Sequence, residues 1–430
     1  MGILLAILAL SFLIIVHELG HFMVAKAFKV KVNEFSLFMG PKLFSFKKGE
    51  TLYSLRLIPL GGYVKMEGEE EASEDDRAYN RKPIGVRAAI IAAGPIMNIL
   101  TALVFAIIMI SYTGYYTTEI KDIQPGSVAE AQQLQVGDRL LKYNGKTIYN
   151  VNDLGIFSYP LTDESVVLEY ERNGETRTVE LTPDRQSYIL GFTPLDDKLD
   201  GAKSNVVEAV SPKSPALEAG LKEGDRIVGL NGKEVRTRKD IRDILQQNKD
   251  KAVRVEVERA GKELELKPVV PMKSKNSEFY AIGILDFEHA KGGIGTTIKE
   301  AAKYNIFISR SIYYSLGWLF TGVVPASDLM GPVGITTTIS NEVAASASAM
   351  ETIIRLLSIS AMISINLGLV NLIPFPALDG SKLVLLLVEG IRKKPLNPEK
   401  EALITMVGMV ILIMLMIYAT FNDILRWGRG

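Results

Sequence analysis

The 430-residue chain has no cysteine, which excludes disulfides, thiolate zinc sites, iron–sulfur clusters and a cysteine nucleophile at once. The redox compartment stays undecided on that ground. Net charge is absent too: 49 Lys and Arg balance 49 Asp and Glu, so no overall field marks a nucleic-acid binder. Histidine is scarce, at three, and two of the three lie four positions apart. What the chain has in quantity is apolar surface, 47% of residues with a mean hydropathy of +0.17. With 23% charged residues it is nevertheless too polar to lie wholly in a bilayer, so membrane and water-exposed segments must alternate along it.

Crossing the hydrocarbon takes roughly 20 mostly apolar residues in a helix, because lipid leaves no partner for an open backbone group. Four stretches qualify: 3–28, 88–112, 353–373 and 402–421. The first lacks a basic leader region and a small-residue cleavage site, and reads as a retained span. A fifth stretch, 294–324, mixes Lys299, Glu300, Lys303 and Arg310 with aromatics, which suits a helix lying in the interface better than one crossing it. The connections 29–87 and 392–400 are rich in Lys and Arg, which places both on the cytoplasmic side and the long segment 115–295 outside. The acidic run Glu67 to Asp76 reads as a solvated loop.

The segment between the second and third spans repeats itself. Ser127-Val-Ala with Leu134-Gln-Val-Gly-Asp-Arg-Leu aligns without a gap on Ser214-Pro-Ala with Leu221-Lys-Glu-Gly-Asp-Arg-Ile, an offset of 87 that still holds at Arg172 and Arg259. Short alternating strands, Asn-Gly turns and a helical piece per copy predict two small β-rich domains in tandem. The S-x-A-x-x-x-G-L-x-x-G-D pattern resembles a PDZ domain. Its peptide-binding segment follows the signature instead of preceding it, as Leu190-Gly191-Phe192 and Ile282-Gly283-Ile284, which is similar to the circularly permuted bacterial form. A PDZ groove takes a peptide C-terminus as an added strand. Domains serving only as spacers or size filters fit the sequence equally well.

His17-Glu18-Leu19-Gly20-His21 is an H-E-x-x-H motif inside the first span. At 3.6 residues per turn both imidazoles leave one face, close enough to share a metal ion, with Glu18 beside it to accept a proton. Ionisable groups at membrane depth cost about 2.5–3.5 kcal/mol each, so three within five residues require compensation. A catalytic zinc wants a third protein ligand. His289 is a poor candidate, lying past the second repeat; Asp379 in Asn371-Leu-Ile-Pro374-Phe-Pro376-Ala-Leu-Asp379-Gly380 is better, because the two prolines must open the helix before it. A role for Asp379 as the cap of a helix starting near Ser381 is the competing reading. The segment 31–65, with apolar residues separated by polar ones around a Lys48-Gly49-Glu50 turn, reads as β-hairpins.

Taken in order, the H-E-x-x-H span, Ile58 to Met66, Ala93-Gly-Pro-Ile-Met-Asn98, the repeat, Gly331-Pro-Val-Gly-Ile335, N-x-x-P-x-P-x-L-D-G and Phe421 to Arg426 resemble the site-2 protease family of intramembrane zinc proteases, in its branch with two PDZ domains. The resemblance implies an α-helical polytopic membrane protein with four transmembrane helices, a membrane-associated β-hairpin region and two tandem circularly permuted PDZ domains. The segments it implies are a first span at 1–30, a re-entrant β region at 31–66, a cytoplasmic loop at 67–87 and a second span at 88–114. PDZ domains follow at 115–195 and 200–287, then an amphipathic helical region at 292–350, a third span at 351–380, a cytoplasmic connection at 381–401 and a fourth span at 402–425. It further implies one zinc ion per chain, with His17, His21 and Asp379 as ligands and Glu18 as catalytic base. Asn371, Pro374, Pro376 and Tyr63 would contact substrate. The implied substrates are single-pass membrane proteins cut in regulated intramembrane proteolysis of an envelope stress response, such as a pre-trimmed anti-sigma factor, with remnant signal peptides as a further class. The implied location is the bacterial inner membrane, with the PDZ domains periplasmic and the active site toward the cytoplasm. An inactive PDZ membrane scaffold and a membrane transporter are the rival classes.

Overall fold

The computed structural model describes residues 2–69, 71, 73–124, 126–160, 162, 164–184, 186–195, 202–275, 281–346, 348–394 and 398–427. Glu70 and Ala72 of the acidic run, and the expected domain boundary at 200, lie outside them. Two compact units emerge, one formed by residues 1–115 with 289–430, the other by 116–288.

The first unit opens with α1 (Gly2–Ala27), at about 1.5 Å per residue long enough to cross a hydrocarbon core of about 30 Å. Ile3, Leu4, Leu8 and Phe12 point outward, while Ala6, Leu13, His17 and Gly20 are buried. Two antiparallel strands follow, β1 (Val32–Lys48) and β2 (Thr51–Met66). Their far end exposes Leu43, Phe44, Phe46 and Leu57, while Val30, Val32 and Met66 join Ala25 and Ile90 in a common core. The strand β2 doubles back: residues 34–37 of β1 pair with 52–55 on one side and with 62–65 on the other. Helix α2 (Ile84–Thr113) then runs through Pro95 without ending, and buries Gly94, Pro95 and Asn98 on one face. A Cβ at Gly20 would meet the Ala93 carbonyl. The absence of side chains there lets α1 and α2 approach closely, as packed membrane helices require.

The second unit contains β3 (Tyr115–Ile123), α3 (Val128–Ala131), β4 (Arg139–Tyr143), β5 (Lys146–Thr147), α4 (Asp153–Phe157), β6 (Val166–Arg172), β7 (Glu175–Leu181), β8 (Gln186–Ile189), β9 (Phe192–Pro194) and β10 (Val207–Val210). It continues with α5 (Pro215–Ala219), β11 (Arg226–Leu230), β12 (Lys233–Glu234), α6 (Arg238–Asn248), β13 (Val255–Arg259), β14 (Lys262–Glu265), β15 (Met272–Lys275) and β16 (Ile284–Ala290). The repeat is visible at atomic level. Arg172 grips Asp138 through Nε (2.6 Å) and Nη2 (2.7 Å), and Arg259 grips Asp225 at 2.7 Å through both. The same Nη2 atoms reach the carbonyls of Gln133 and Gly220.

The pairing nonetheless departs from a simple tandem. Strand β9 follows the first copy but pairs with β10 of the second, and Leu190 is buried in the second copy's core with Val207, Ile227 and Val255. Strand β16 returns to pair with β3, and Gly283 accepts a backbone bond from Gln124. Each copy is thus completed by the strand that follows the other copy. The expected division at 195/200 therefore does not separate two sheets closed within their own stretches. Sequence periodicity marks strands but not their partners, which long-range packing selects.

The chain re-enters the first unit as α7 (Ile294–Phe320), α8 (Pro332–Ala344), α9 (Ala349–Asn371), α10 (Asp379–Arg392) and α11 (Pro398–Trp427). Among the described residues four helices are long and apolar enough to cross a membrane: α1, α2, α9 and α11. Helix α7 is not one of them, in line with its interspersed charges. The third span ends before the expected 380, since α9 stops at Asn371, and a separate helix opens at Asp379 and runs into the expected connection 381–401. Pro374 and Pro376 explain the stop, as neither can donate an intrahelical bond. Ala377 completes the turn with φ of +77°, a conformation rare outside glycine.

Candidate active site

His17 and His21 leave α1 on one face, one turn apart, with ring centroids 4.8 Å apart. The rings fit only because α2 offers Gly94 opposite them: a Cβ there would strike His21 Nε2 and lie 2.9 Å from His17 Cε1. His21 Nδ1 lies 2.8 Å from the Ile90 carbonyl and donates to it, which leaves the Nε2 lone pair facing inward. Across from both rings stands Asp379, the first residue of α10. Its carboxylate does not cap its own helix. Oδ2 lies 3.1 Å from His17 Nε2 and 3.4 Å from His21 Nε2, and the two Nε2 atoms are 3.2 Å apart. The side chains of His17, His21 and Asp379 are 9%, 12% and 17% exposed.

These distances test whether the residues suit a metal ion. Tetrahedral zinc with bonds of about 2.0–2.2 Å holds its donors roughly 3.3–3.6 Å apart. The three measured separations fall within a few tenths of an ångström of that spacing, and two imidazoles with one carboxylate are a zinc donor set. Among the described residues this is the group of histidine and acidic side chains that converges closely enough to hold an ion. His289 is not part of it; its ring lies against Gly114 at the end of α2.

The triad opens onto a cavity of about 320 Å³ lined also by Glu18, Tyr63, Asn371, Ala377 and Lys382. Glu18 is on α1 beside His17, and the backbone of β2 passes it closely: a Cβ at Gly62 would sit 3.4 Å from Glu18 Cγ. Tyr63, Val64 and Met66 of β2 line the cavity, and residues 62–65 pair with β1 on one side. Tyr63 is oriented by Arg56, which donates to the phenol oxygen and also to Ser36 Oγ and Glu34 Oε1. A second cavity of about 720 Å³ shares Tyr63, Val64, Met66, Glu69 and Lys382 with the first, so the site is open to a larger space.

Of the residues expected from sequence, His17, Glu18, His21, Asn371, Tyr63 and Asp379 come together here. Pro374 and Pro376 do not line the cavity; Pro376 packs instead on α11, where a Cβ at Gly408 would strike its carbonyl. Leu190, Gly191, Phe192, Ile282, Gly283 and Ile284 belong to the second unit, where Gly191 and Gly283 pack against Ser214 and Ser127. Sequence reading assigned no role to Lys382, whose Nζ lies 3.0 Å from Glu69 Oε1, or to Gly94 and Asn98. For Lys382 a signal existed, its place one turn after Asp379 on the same helix face.

The sequence matches peptidase family M50 over residues 5–415. Curated relatives match over nearly the full length. The zinc metalloprotease RasP of Bacillus licheniformis is 32% identical over 98% of this chain and 98% of its own. The regulator of sigma-W protease RasP of Bacillus subtilis is 31% identical over 96% of both. The regulator of sigma-E protease RseP of Escherichia coli is 32% identical over 98% of this chain and 97% of its own. Among solved structures, the PDZ domain of HtrA3 bound to a phage-derived ligand aligns with a TM-score of 0.16 and 19% identity, covering 27% of this chain and 96% of that one. A full-length family match and an acid–histidine cluster set among four apolar helices agree, and the chain belongs to peptidase family M50, as a membrane-embedded hydrolase of the site-2 protease type.

Proposed function

We propose that the chain holds one zinc ion on His17, His21 and Asp379 and cleaves single-pass membrane proteins within their helices, with Glu18 as general base. The observation that carries this reading is the convergence of the three donor atoms, from residues 362 positions apart, at separations of 3.1–3.4 Å. Zinc, when bound, supplies a Lewis acid and lets water act as a nucleophile near neutral pH. Glu18 then accepts the proton from water and returns it to the leaving amide nitrogen, work worth typically about 10²–10⁴ in rate. Asn371 and Tyr63 line the same cavity and hold the substrate backbone by hydrogen bonds.

A helical substrate hides its carbonyls in its own hydrogen bonds and must unwind to be cut. The strand 62–65 offers a place for the unwound segment, since strand addition supplies the bonds the helix gave up. The basic connections put this end of the site toward the cytoplasm of a bacterial inner membrane and the repeat on the periplasmic side. Substrates are anti-sigma factors already trimmed outside, with remnant signal peptides as a second class. The repeats act as PDZ domains that restrict access, by taking a peptide C-terminus or by bulk.

The test is cleavage of a tagged one-span substrate by the purified full chain, with and without a zinc chelator, alongside metal analysis. Chelator-sensitive cutting with about one zinc per chain is expected. Undiminished cutting by metal-free protein would remove the reading. Deleting residues 116–288 should admit longer substrates, and continued exclusion of untrimmed proteins would refute the filter.

A further inference from the structure

Asn98 is buried in the middle of α2, fully removed from solvent, and the catalytic scheme gives it nothing to do. Its main-chain carbonyl is occupied, accepting from Ser364 Oγ at 2.8 Å. Its side chain meets the metal centre from behind: Nδ2 lies 3.1 Å from His17 Nδ1, the ring nitrogen facing away from Asp379 and His21. Its Oδ1, equally buried, has no hydrogen-bond partner among the described residues. A buried amide oxygen left open costs about 1–3 kcal/mol, so the arrangement calls for an explanation.

The imidazole of His17 supplies one. A neutral ring carries one proton, on either nitrogen. With Nε2 turned to Asp379 Oδ2 at 3.1 Å and Nδ1 turned to the Asn98 amide at 3.1 Å, which nitrogen carries the proton depends on what Nε2 faces. Ligation through Nε2 needs its lone pair free. Once Nε2 binds an ion, the proton must sit on Nδ1, which then needs an acceptor instead of a donor. The amide has one available, because Oδ1 and Nδ2 are nearly the same size and exchange places by a half-turn about the last side-chain bond.

We propose that Asn98 is a positioning residue for His17, whose side-chain amide presents Oδ1 to Nδ1–H and holds the ring in the tautomer that offers Nε2 to the ion. The proposal rests on the zinc reading of the triad. It explains why a polar residue is kept among the buried, otherwise apolar residues of this span, and it gives Oδ1, which has no other partner among the described residues, a donor in Nδ1–H. It parallels His21, whose Nδ1 is tied to the Ile90 carbonyl. That second tie uses a main-chain acceptor, whereas the one on His17 uses a side chain.

The test compares zinc affinity of the full-length chain in detergent, by competition with a chromogenic chelator, for native protein, Asn98→Asp and Asn98→Leu. Asn98→Asp keeps an acceptor and cannot donate when ionised, so it should bind zinc at least as tightly as native. Asn98→Leu matches the shape without the acceptor and should bind about 10–100-fold more weakly, the usual cost of losing an outer partner of a ligating histidine. Melting temperatures of zinc-loaded and zinc-stripped protein are measured in parallel. A fold defect lowers both, while a lost ligand orientation shrinks the gap between them. Native affinity in Asn98→Leu, or equal losses in the Asp and Leu variants, would overturn the proposal. Failure of the native chain itself to bind zinc would instead sink the reading of the triad.

Discussion

Gly94 of α2 stands where any side chain would strike Nε2 of His21, so the two histidines owe their approach to a missing methyl group on the facing helix. His21 cannot swing aside without giving up the bond from Nδ1 to Ile90. Gly94→Ala should therefore lose most of its zinc and at least about 10²-fold in activity, as expected when a reacting centre is displaced by an ångström. Gly85→Ala, on the same helix with no atom within 4 Å of the added carbon, is the control and should behave as native. Metal analysis of both purified variants decides it; a Gly94→Ala protein with full zinc occupancy would mean that the rings have room to spare.

Glu18 lies in the cavity but is not one of the three convergent donors. Glu18→Gln should thus keep its zinc while kcat falls by about 10²–10⁴-fold, the span usual for general acid–base catalysis. Substrate capture by this variant should survive, and a pull-down of an uncut one-span protein measures it. Zinc loss in Glu18→Gln would instead assign the carboxylate to the metal.

Half of this centre could be read directly from residue spacing. His17 and His21 are four apart in an apolar run, and helix geometry alone puts them side by side. Asp379 could be nominated because two prolines precede it, but its 3.1 Å approach to His17 depends on how α9, α2 and α1 pack around Gly368, Gly94 and Gly20, which spacing does not encode. The same limit hid what Asn98 touches, since in sequence it is only the last residue of Ala93-Gly-Pro-Ile-Met-Asn98. It also hid the exchange of β9 and β16 between the two copies, because a period-two pattern is the same whichever strand lies alongside. The helix α10 entered the sequence reading only as the competing role for Asp379, and it starts two residues before Ser381 with that carboxylate turned to the histidines instead of capping it.

Asp423 ties the last span to the start of α8. Its carboxylate accepts from the backbone N–H of Gly331 at 3.2 Å and of Gly334 at 2.7 Å, occupying donors that a helix start leaves open, and it favours the positive end of that helix. A Cβ at Gly334 would press on Asp423 Oδ1 at 2.7 Å, so the carboxylate reaches this helix start because no side chain stands there. Asp423→Ala should cost about 1–2 kcal/mol, as loss of a capping residue does, and Asp423→Asn less. Amide exchange of residues 331–336 should quicken in the alanine variant; unchanged exchange would show the cap to be idle.

In the second unit the paired grips of Arg172 on Asp138 and Arg259 on Asp225 offer a pH experiment. Burial works against the charge on Asp225, but the bonds from Arg259 and the Lys222 amide outweigh it and hold the acid below the usual carboxylate range. A carboxyl group whose folded value is depressed contributes stability that is complete above its unfolded value, about 3.9, and is lost as the pH falls through the folded one. Arg259→Ala leaves Asp225, 1% exposed, without its cation. The loss should be roughly 2–3 kcal/mol at pH 7, below the range for a wholly buried pair because Arg259 is 28% exposed. On acidification the carboxyl takes up a proton and the charge left stranded in the variant disappears. The stability gap between native and Arg259→Ala, followed by amide exchange of β11 and β13 in the full chain, should therefore be widest at neutral pH and narrow on acidification. A gap of constant size would show that Arg259 acts by packing its stem and not by its charge.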